Sequence, residues 1–216
     1  MDGNTLSPAK NRNLFNSLLK NLWRRMLRVK LPVKWYATLL IPPLLIATVL
    51  FTLKTFASPA FAPNTFFIGM SFGLAAGFLE ELGWTGYALP RMMIDHKPLK
   101  TGLVLGIFWG LWHLPVIDFL GAASPHGAYL IPFMAAFIAA MTAMRMIMTW
   151  VYSHVRSVAL AQMMHIISTG SLVAFGPFGV TAAQETTWYT LYAVALWGVI
   201  ALIALARRGT KKPSLE

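Results

Sequence analysis

Six long stretches without a charged residue, 35–53, 55–79, 101–117, 119–144, 157–184 and 186–206, constrain this chain more than any other feature. Each matches or exceeds the roughly 17–25 residues that an α-helix needs to cross the hydrocarbon core of a bilayer. No soluble architecture calls for six such windows in 216 residues. A membrane β-barrel would show short alternating segments instead, and these runs are continuous. The expected fold class is therefore all-α: a polytopic membrane protein of about six transmembrane helices enclosing an intramembrane polar site. The first window carries Pro42 and Pro43, which predict a kink or tilt.

The net charge of +11 would ordinarily raise nucleic acid as a partner, but its placement argues otherwise. Eight of the 18 Lys and Arg residues lie within 10–34 and four within 207–212, while Arg91, Lys97 and Lys100 occupy the 91–100 connection. Under the positive-inside rule these clusters place both termini and the 91–100 loop in the cytoplasm, as six spans of a cell (inner) membrane protein require. Arg145 and Arg156 would bracket a further cytoplasmic connection. The expected outer loops, near 54–64, 118–128 and 176–187, hold only Lys54, Asp118 and Glu185. The charge thus labels topology: the expected partner is the lipid bilayer, with no nucleic acid.

Three regions follow: a basic cytoplasmic segment 1–34, a helical membrane domain 35–206 and a basic tail 207–216. The first long apolar run begins only after 34 mostly polar or basic residues, so no secretory signal peptide is expected. Within the front segment, Leu14, Leu18, Leu22 and Met26 recur at helical spacing, with Lys20, Arg24 and Arg28 on another face. That pattern predicts an interfacial helix on an anionic leaflet, the alternative being a solvated basic extension. The absence of cysteine excludes disulfides and thiolate metal sites.

Four ionisable residues fall well inside the expected membrane spans: Glu80, Glu81, His113 and His165. Such groups are costly in hydrocarbon and mark functional sites by default. Adjacent carboxyls in a buried place favour one shared proton, a state suited to general acid–base work. A buried ion pair is the competing reading, disfavoured because no basic residue is expected at comparable depth. At about 1.5 Å per helical residue, Glu81 lies roughly 15 Å from the level of Arg91, His113 roughly 20 Å from Lys100 and His165 roughly 14 Å from Arg156. Three helices would therefore bring polar groups to one level. Gly69, Gly73 and Gly77 lead into the glutamates, and Gly102, Gly106 and Gly110 lead into His113. These small-residue faces predict close packing of the second span on the third. Pro115 predicts a kink or a helix end beside His113, which would let water or backbone reach the site. Thr169 shares a helix face with His165. His96, His126 and His154 are expected to be solvated or interfacial.

This set, lacking a Ser or Cys nucleophile motif, suits hydrolysis by an activated water. The His and Glu side chains could also supply three ligands to Zn²⁺ with an open position for water. No H-E-x-x-H motif occurs. Membrane Glu and His also serve proton relays, but a proton-coupled transporter would predict internal repeats that are not found here.

The segments EELGWTGYALPR (80–91), FWGLWHLP (108–115) and WVYSHVRSVALAQMMHIIST (150–169) resemble, in order and spacing, the three motif regions of the CPBP family. These are the CAAX-protease and bacteriocin-processing (ABI-type) intramembrane glutamic or metalloproteases, and the likeness extends over about 65–205. The family pattern is Glu-Glu-x-x-x-Arg, then aromatic-x-x-x-His, then His-x-x-x-Asn or a variant. The resemblance implies an intramembrane endopeptidase acting on a peptide or membrane-protein substrate, in which Glu80 activates water and Glu81 supports it. Trp109 and His113 match the second motif, His113 helping to bind the water. His165 and Thr169 match the third, binding metal or steadying the oxyanion; the metal trio would be Glu80, His113 and His165. Trp84, Thr85 and Trp109 would support the site. Thr85 stands at the arginine position and Thr169 at the asparagine position, as in bacterial members with W-T-G in the first motif. Those departures motivate the alternative of an inactive member acting as a bacteriocin-immunity factor or membrane scaffold.

Overall fold

A computed structural model describes residues 8–115 and 126–209, and within them there is no β-strand. The elements are α1 (Pro8–Met26), α2 (Ile41–Phe56), α3 (Met70–Gly83), α4 (Leu89–Asp95), α5 (Pro98–Trp112), α6 (Leu130–Val155), α7 (Val158–Phe175) and α8 (Ala182–Gly209), joined by short helical turns. The all-α membrane class is as expected. Among the described residues four segments are long and apolar enough to cross a membrane: Val33–Phe56, Gly127–Val155, Val158–Phe175 and Ala182–Ala206. The other two charge-free windows hold α3 and α5, helices of 14 and 15 residues. Large apolar side chains stay exposed around the bundle, among them Phe51, Phe72, Ile131, Val194 and Leu202. A water-facing surface would not carry them at this density, and a hydrocarbon-facing one does.

Pro42 and Pro43 occupy the first turn of α2, where a missing N–H leaves no helical bond unmade. The irregularity expected there takes the form of a 3₁₀ turn, Ala37–Leu40, just before them. The helix α5 ends at Trp112, with His113 as its C-cap. Most of the proposed outer loop 118–128, including Asp118, lies outside the described residues.

The glycine stripes permit close approach, but not between α3 and α5. A Cβ on Gly73 would sit 2.3 Å from the Ile166 carbonyl oxygen, and one on Gly77 would sit 2.6 Å from Ile166 Cγ1, both on α7. A Cβ on Gly106 would sit 2.6 Å from Thr142 Cα, and one on Gly102 2.9 Å from Met146 Cα, both on α6. The bundle is therefore two tight pairs, α3 on α7 and α5 on α6. The α3 stripe faces Ile166 and Gly170, the α5 stripe faces Ile138, Thr142 and Met146, and Trp109 of α5 reaches Glu80 of α3 by a hydrogen bond.

A second correction concerns Arg145. It does not border a loop; α6 runs through it to Val155, and the connection to α7 is only Arg156 and Ser157. Arg145 is fully buried, because a carboxylate stands opposite to neutralise it. His126 also departs from expectation. It is buried, stacked on Phe133 with ring centroids 3.9 Å apart, and its Nε2 lies 3.2 Å from Glu185. His96 and His154 are exposed, as anticipated.

Within the front segment the helix runs from Pro8 to Met26. The side chain of Leu14 lies outside the described residues. Leu22 and Met26 pack on a small core of Leu89, Leu105, Tyr152 and Val158, while Leu18, Leu19 and Trp23 remain exposed.

Candidate active site

The two glutamates are consecutive on a helix, so their side chains leave it about 100° apart and meet different partners. Glu81 is fully buried. Arg145 grips it with both guanidinium nitrogens, Nη1 to Oε2 at 2.9 Å and Nη2 to Oε1 at 2.7 Å. His165 Nδ1 lies 2.8 Å from Oε1, and the Thr85 hydroxyl donates to Oε2. Every acceptor direction of this carboxylate is engaged by a donor, two of them from a cation. The expected shared proton between Glu80 and Glu81 gives way to a buried ion pair, because the bundle brings in a base that a charge-counted topology had assigned to a loop.

Glu80 is half-buried and has no cationic partner among the described residues. Its Oε2 accepts from Trp109 Nε1 at 2.9 Å and from Trp84 Nε1 at 3.2 Å. It lies on the wall of a cavity of about 410 Å³ whose other lining residues are Leu79, Gly83, Trp84, Ala88 and Trp112. Charge on Glu80 is therefore presented to an apolar space. After Gly83 the backbone widens into a π-helical turn, Trp84–Ala88, and this turns Trp84 toward Glu80 and Thr85 toward Glu81. Such bulges often occur at functional positions.

Trp109 is the hub. It is fully buried, with the Arg145 guanidinium 4.3 Å from its ring centroid. Its ring stands edge-on to His165 at 4.8 Å and to His113 at 5.6 Å between centroids. His113 Nδ1 lies 2.7 Å from the Trp109 carbonyl oxygen, an acceptor, so Nδ1 carries the proton and Nε2 faces away. His165 Nδ1 is likewise committed to Glu81, and its buried Nε2 makes no hydrogen bond with a described residue.

The structure therefore brings Glu80, Glu81, His113, His165, Trp84, Thr85 and Trp109 into one connected cluster. Thr169 is half-buried one turn along α7 from His165 and makes no side-chain hydrogen bond with a described residue. Arg145 is the member that the sequence did not reveal. The one available signal was the arginine missing at position 85: Thr85 and Arg145 both bond the same Glu81 oxygen, so α6 delivers the guanidinium that the first motif lacks. Among the described residues no three His, Asp or Glu side chains converge as a metal-ligand set. Of the expected metal trio, Glu80 uses Oε2 for the two indole donors, and His113 and His165 each use Nδ1, which leaves Oε1 of Glu80 and Nε2 of His165 without a hydrogen bond to a described residue.

A family model, Type II CAAX prenyl endopeptidase Rce1-like, matches residues 62–171 and so takes in all three motifs. The chain belongs to this family. A curated relative, CAAX prenyl protease 2 of Methanococcus maripaludis, is 32% identical over 127 residues, which cover 52% of this chain and 45% of the relative. The chain thus matches under half of that protein's length. Within the Rce1-like region lie α3, the π-helical turn, α4, α5, α6 and most of α7, the elements that carry the cluster.

Proposed function

We propose that this Rce1-like protein is an intramembrane endopeptidase of the CAAX prenyl protease type, in which Glu80 activates water to hydrolyse a peptide bond. The observation that carries the reading is the contrast between two neighbouring carboxylates. Glu81 is consumed by Arg145, His165 and Thr85, whereas Glu80 keeps Oε1 without a hydrogen bond to any described residue and faces an apolar cavity. A general base needs that availability, and the indole bonds on Oε2 hold its orientation.

Glu80 would take a proton from water as the water oxygen attacks the scissile carbonyl carbon. His113 Nε2, fixed by the Nδ1 bond to the Trp109 carbonyl, would accept a hydrogen bond from that water and align it. His165, when protonated, would carry an N–H on Nε2 toward the developing oxyanion, with Glu81 stabilising the imidazolium. Thr169 would offer a hydroxyl donor on the same helix face. Glu80 would then return its proton to the leaving amine as the carbon–nitrogen bond breaks. The apolar cavity suits a hydrophobic or lipid-modified segment beside that bond, in keeping with the prenyl substrate in the relative's name. The basic clusters support a cell membrane setting with both termini in the cytoplasm.

The test uses the full chain in liposomes with a quenched fluorescent peptide ending in a prenylated CAAX motif. Cleavage lost in Glu80→Gln and in His113→Ala supports the reading, and turnover surviving both overturns it. Thr85 and Thr169 favour one alternative, a non-catalytic immunity factor or scaffold. That alternative requires protection or partner binding to persist in Glu80→Gln.

A further inference from the structure

Away from the glutamates, a second cavity of about 680 Å³ opens between α1 and the segment that follows α3. Five arginines line it, Arg24, Arg25, Arg28, Arg91 and Arg156, with no acidic residue in the lining. Leu18, Pro90 and Ile94 supply an apolar wall. Five like charges around one space repel each other unless an anion joins them, and surface arginines normally find carboxylates when any are near. None of the described acids, Glu80, Glu81, Asp95 and Glu185, lines this space.

The arginines are held, not merely gathered. Arg25 donates from Nη1 to the Tyr152 hydroxyl at 2.7 Å and from Nη2 to the Gly86 carbonyl at 2.8 Å. Arg24 Nη2 donates to the Asn21 side chain at 2.7 Å. Arg91 lies over the Tyr87 ring, 3.6 Å from its centroid. Arg156 caps α6 with φ of 52°, a left-handed conformation that is uncommon for a residue other than glycine and is a strain held at functional sites. That conformation turns the chain so that Arg156 lines the cavity.

We propose that this cavity is a binding site for a phosphate-bearing anion, and specifically for the headgroup of an anionic phospholipid. Guanidinium groups match phosphate oxygens in pairs, which accounts for five arginines and no lysine in the lining. The apolar wall accounts for a lipid over a free ion: Leu18 and Ile94 offer a surface for the first carbons of an acyl chain, and Leu18, Leu19 and Trp23 beside it are exposed as an interfacial helix requires. Arg25 links the site to the π-helical turn, since its carbonyl partner Gly86 follows Thr85, which bonds Glu81.

The experiment measures thermal unfolding of the detergent-purified full chain with added phosphatidylglycerol, phosphatidylcholine or inorganic phosphate. Phosphatidylglycerol at tenfold excess over its Kd should raise Tm by about 4 °C, with no shift from the other two. The variant Arg24→Gln, Arg28→Gln, Arg91→Gln should lose the shift, whereas Lys34→Gln, Lys54→Gln, Lys97→Gln, of equal charge change outside the cavity, should keep it. If the arginine variant does not accumulate, Arg24→Gln and Arg28→Gln are read singly. An equal shift from phosphatidylcholine, a shift kept in the arginine variants, or one lost in the lysine variant overturns the site. A shift reproduced by inorganic phosphate alone overturns the lipid in favour of a free anion.

Discussion

Arg145 and Glu81, 64 residues apart in sequence, close a two-pronged ion pair with both side chains fully shielded from solvent. Removing one member leaves the other charged and unpartnered in a medium that solvates it poorly. Arg145→Met should therefore destabilise the fold by about 3–5 kcal/mol, and Glu81→Gln/Arg145→Met by less than Arg145→Met alone. Thermal or chemical unfolding in detergent, compared across the cycle, measures this.

If α6 supplies a guanidinium that the first motif lacks, it can be returned to the motif. Thr85 already touches Glu81 Oε2, so a longer side chain there reaches the same carboxylate once residue 145 makes room. Thr85→Arg/Arg145→Met should recover stability and peptide cleavage relative to Arg145→Met. Thr85→Arg alone should be worse than the parent, because two guanidinium groups would compete for one buried acid. Initial rates and unfolding midpoints of the four proteins decide the point.

Glu80 and Trp109 should separate chemistry from folding. Glu80→Gln keeps the shape and the indole bonds but loses the base, so kcat should fall by about 10²–10⁴-fold. Its unfolding midpoint should stay near that of the parent. Trp109→Phe keeps most of the packing and deletes the N–H that orients Glu80. It should lower kcat less than Glu80→Gln does, and Trp109→Ala should also unfold more easily.

A water activated by Glu80 and aligned by His113, as proposed, needs no metal, so chelation should leave cleavage essentially unchanged. Activity assayed before and after dialysis against a chelator tests this, and loss restored specifically by Zn²⁺ would reinstate a metal role for Glu80, His113 and His165.

Glycine positions should tolerate nothing larger where backbones touch. Gly73→Val would force a Cβ to 2.3 Å from a carbonyl oxygen and 2.6 Å from Gly170 N, neither of which is a flexible side-chain end. The expected result is loss of monodisperse protein on size exclusion. Gly83→Ala, with open space around the added carbon, should behave as the parent.

Much of this was legible in the chain. Charge-free windows announce membrane helices because hydrocarbon excludes ions, and the polar residues Glu80, His113 and His165 stand out in the motifs because such groups are costly there. The same rule misled where ions are paired. Arg145 and His126 read as loop residues because a lone charge belongs near water, whereas Glu81 and Glu185 make their burial tolerable. Glycine spacing says that a helix permits close approach, but it carries no information on which neighbour takes it up. Partner choice depends on the facing surfaces of α6 and α7, where Thr142, Met146, Ile166 and Gly170 meet the stripes.

The two glycine-fastened pairs give the molecule a seam. Glu80, Glu81, Thr85 and His165 belong to one half, with Trp109, His113 and Arg145 on the other, and the cavity beside Glu80 reaches across to Trp112. The hydrogen bonds from Trp109 to Glu80 and from Arg145 to Glu81 are thus stitches across the seam as well as parts of the site. Glu80 is thus oriented by an indole from the opposite half, so a shift of one half against the other would move this carboxylate off the N–H that aims it, even with the shared apolar core kept.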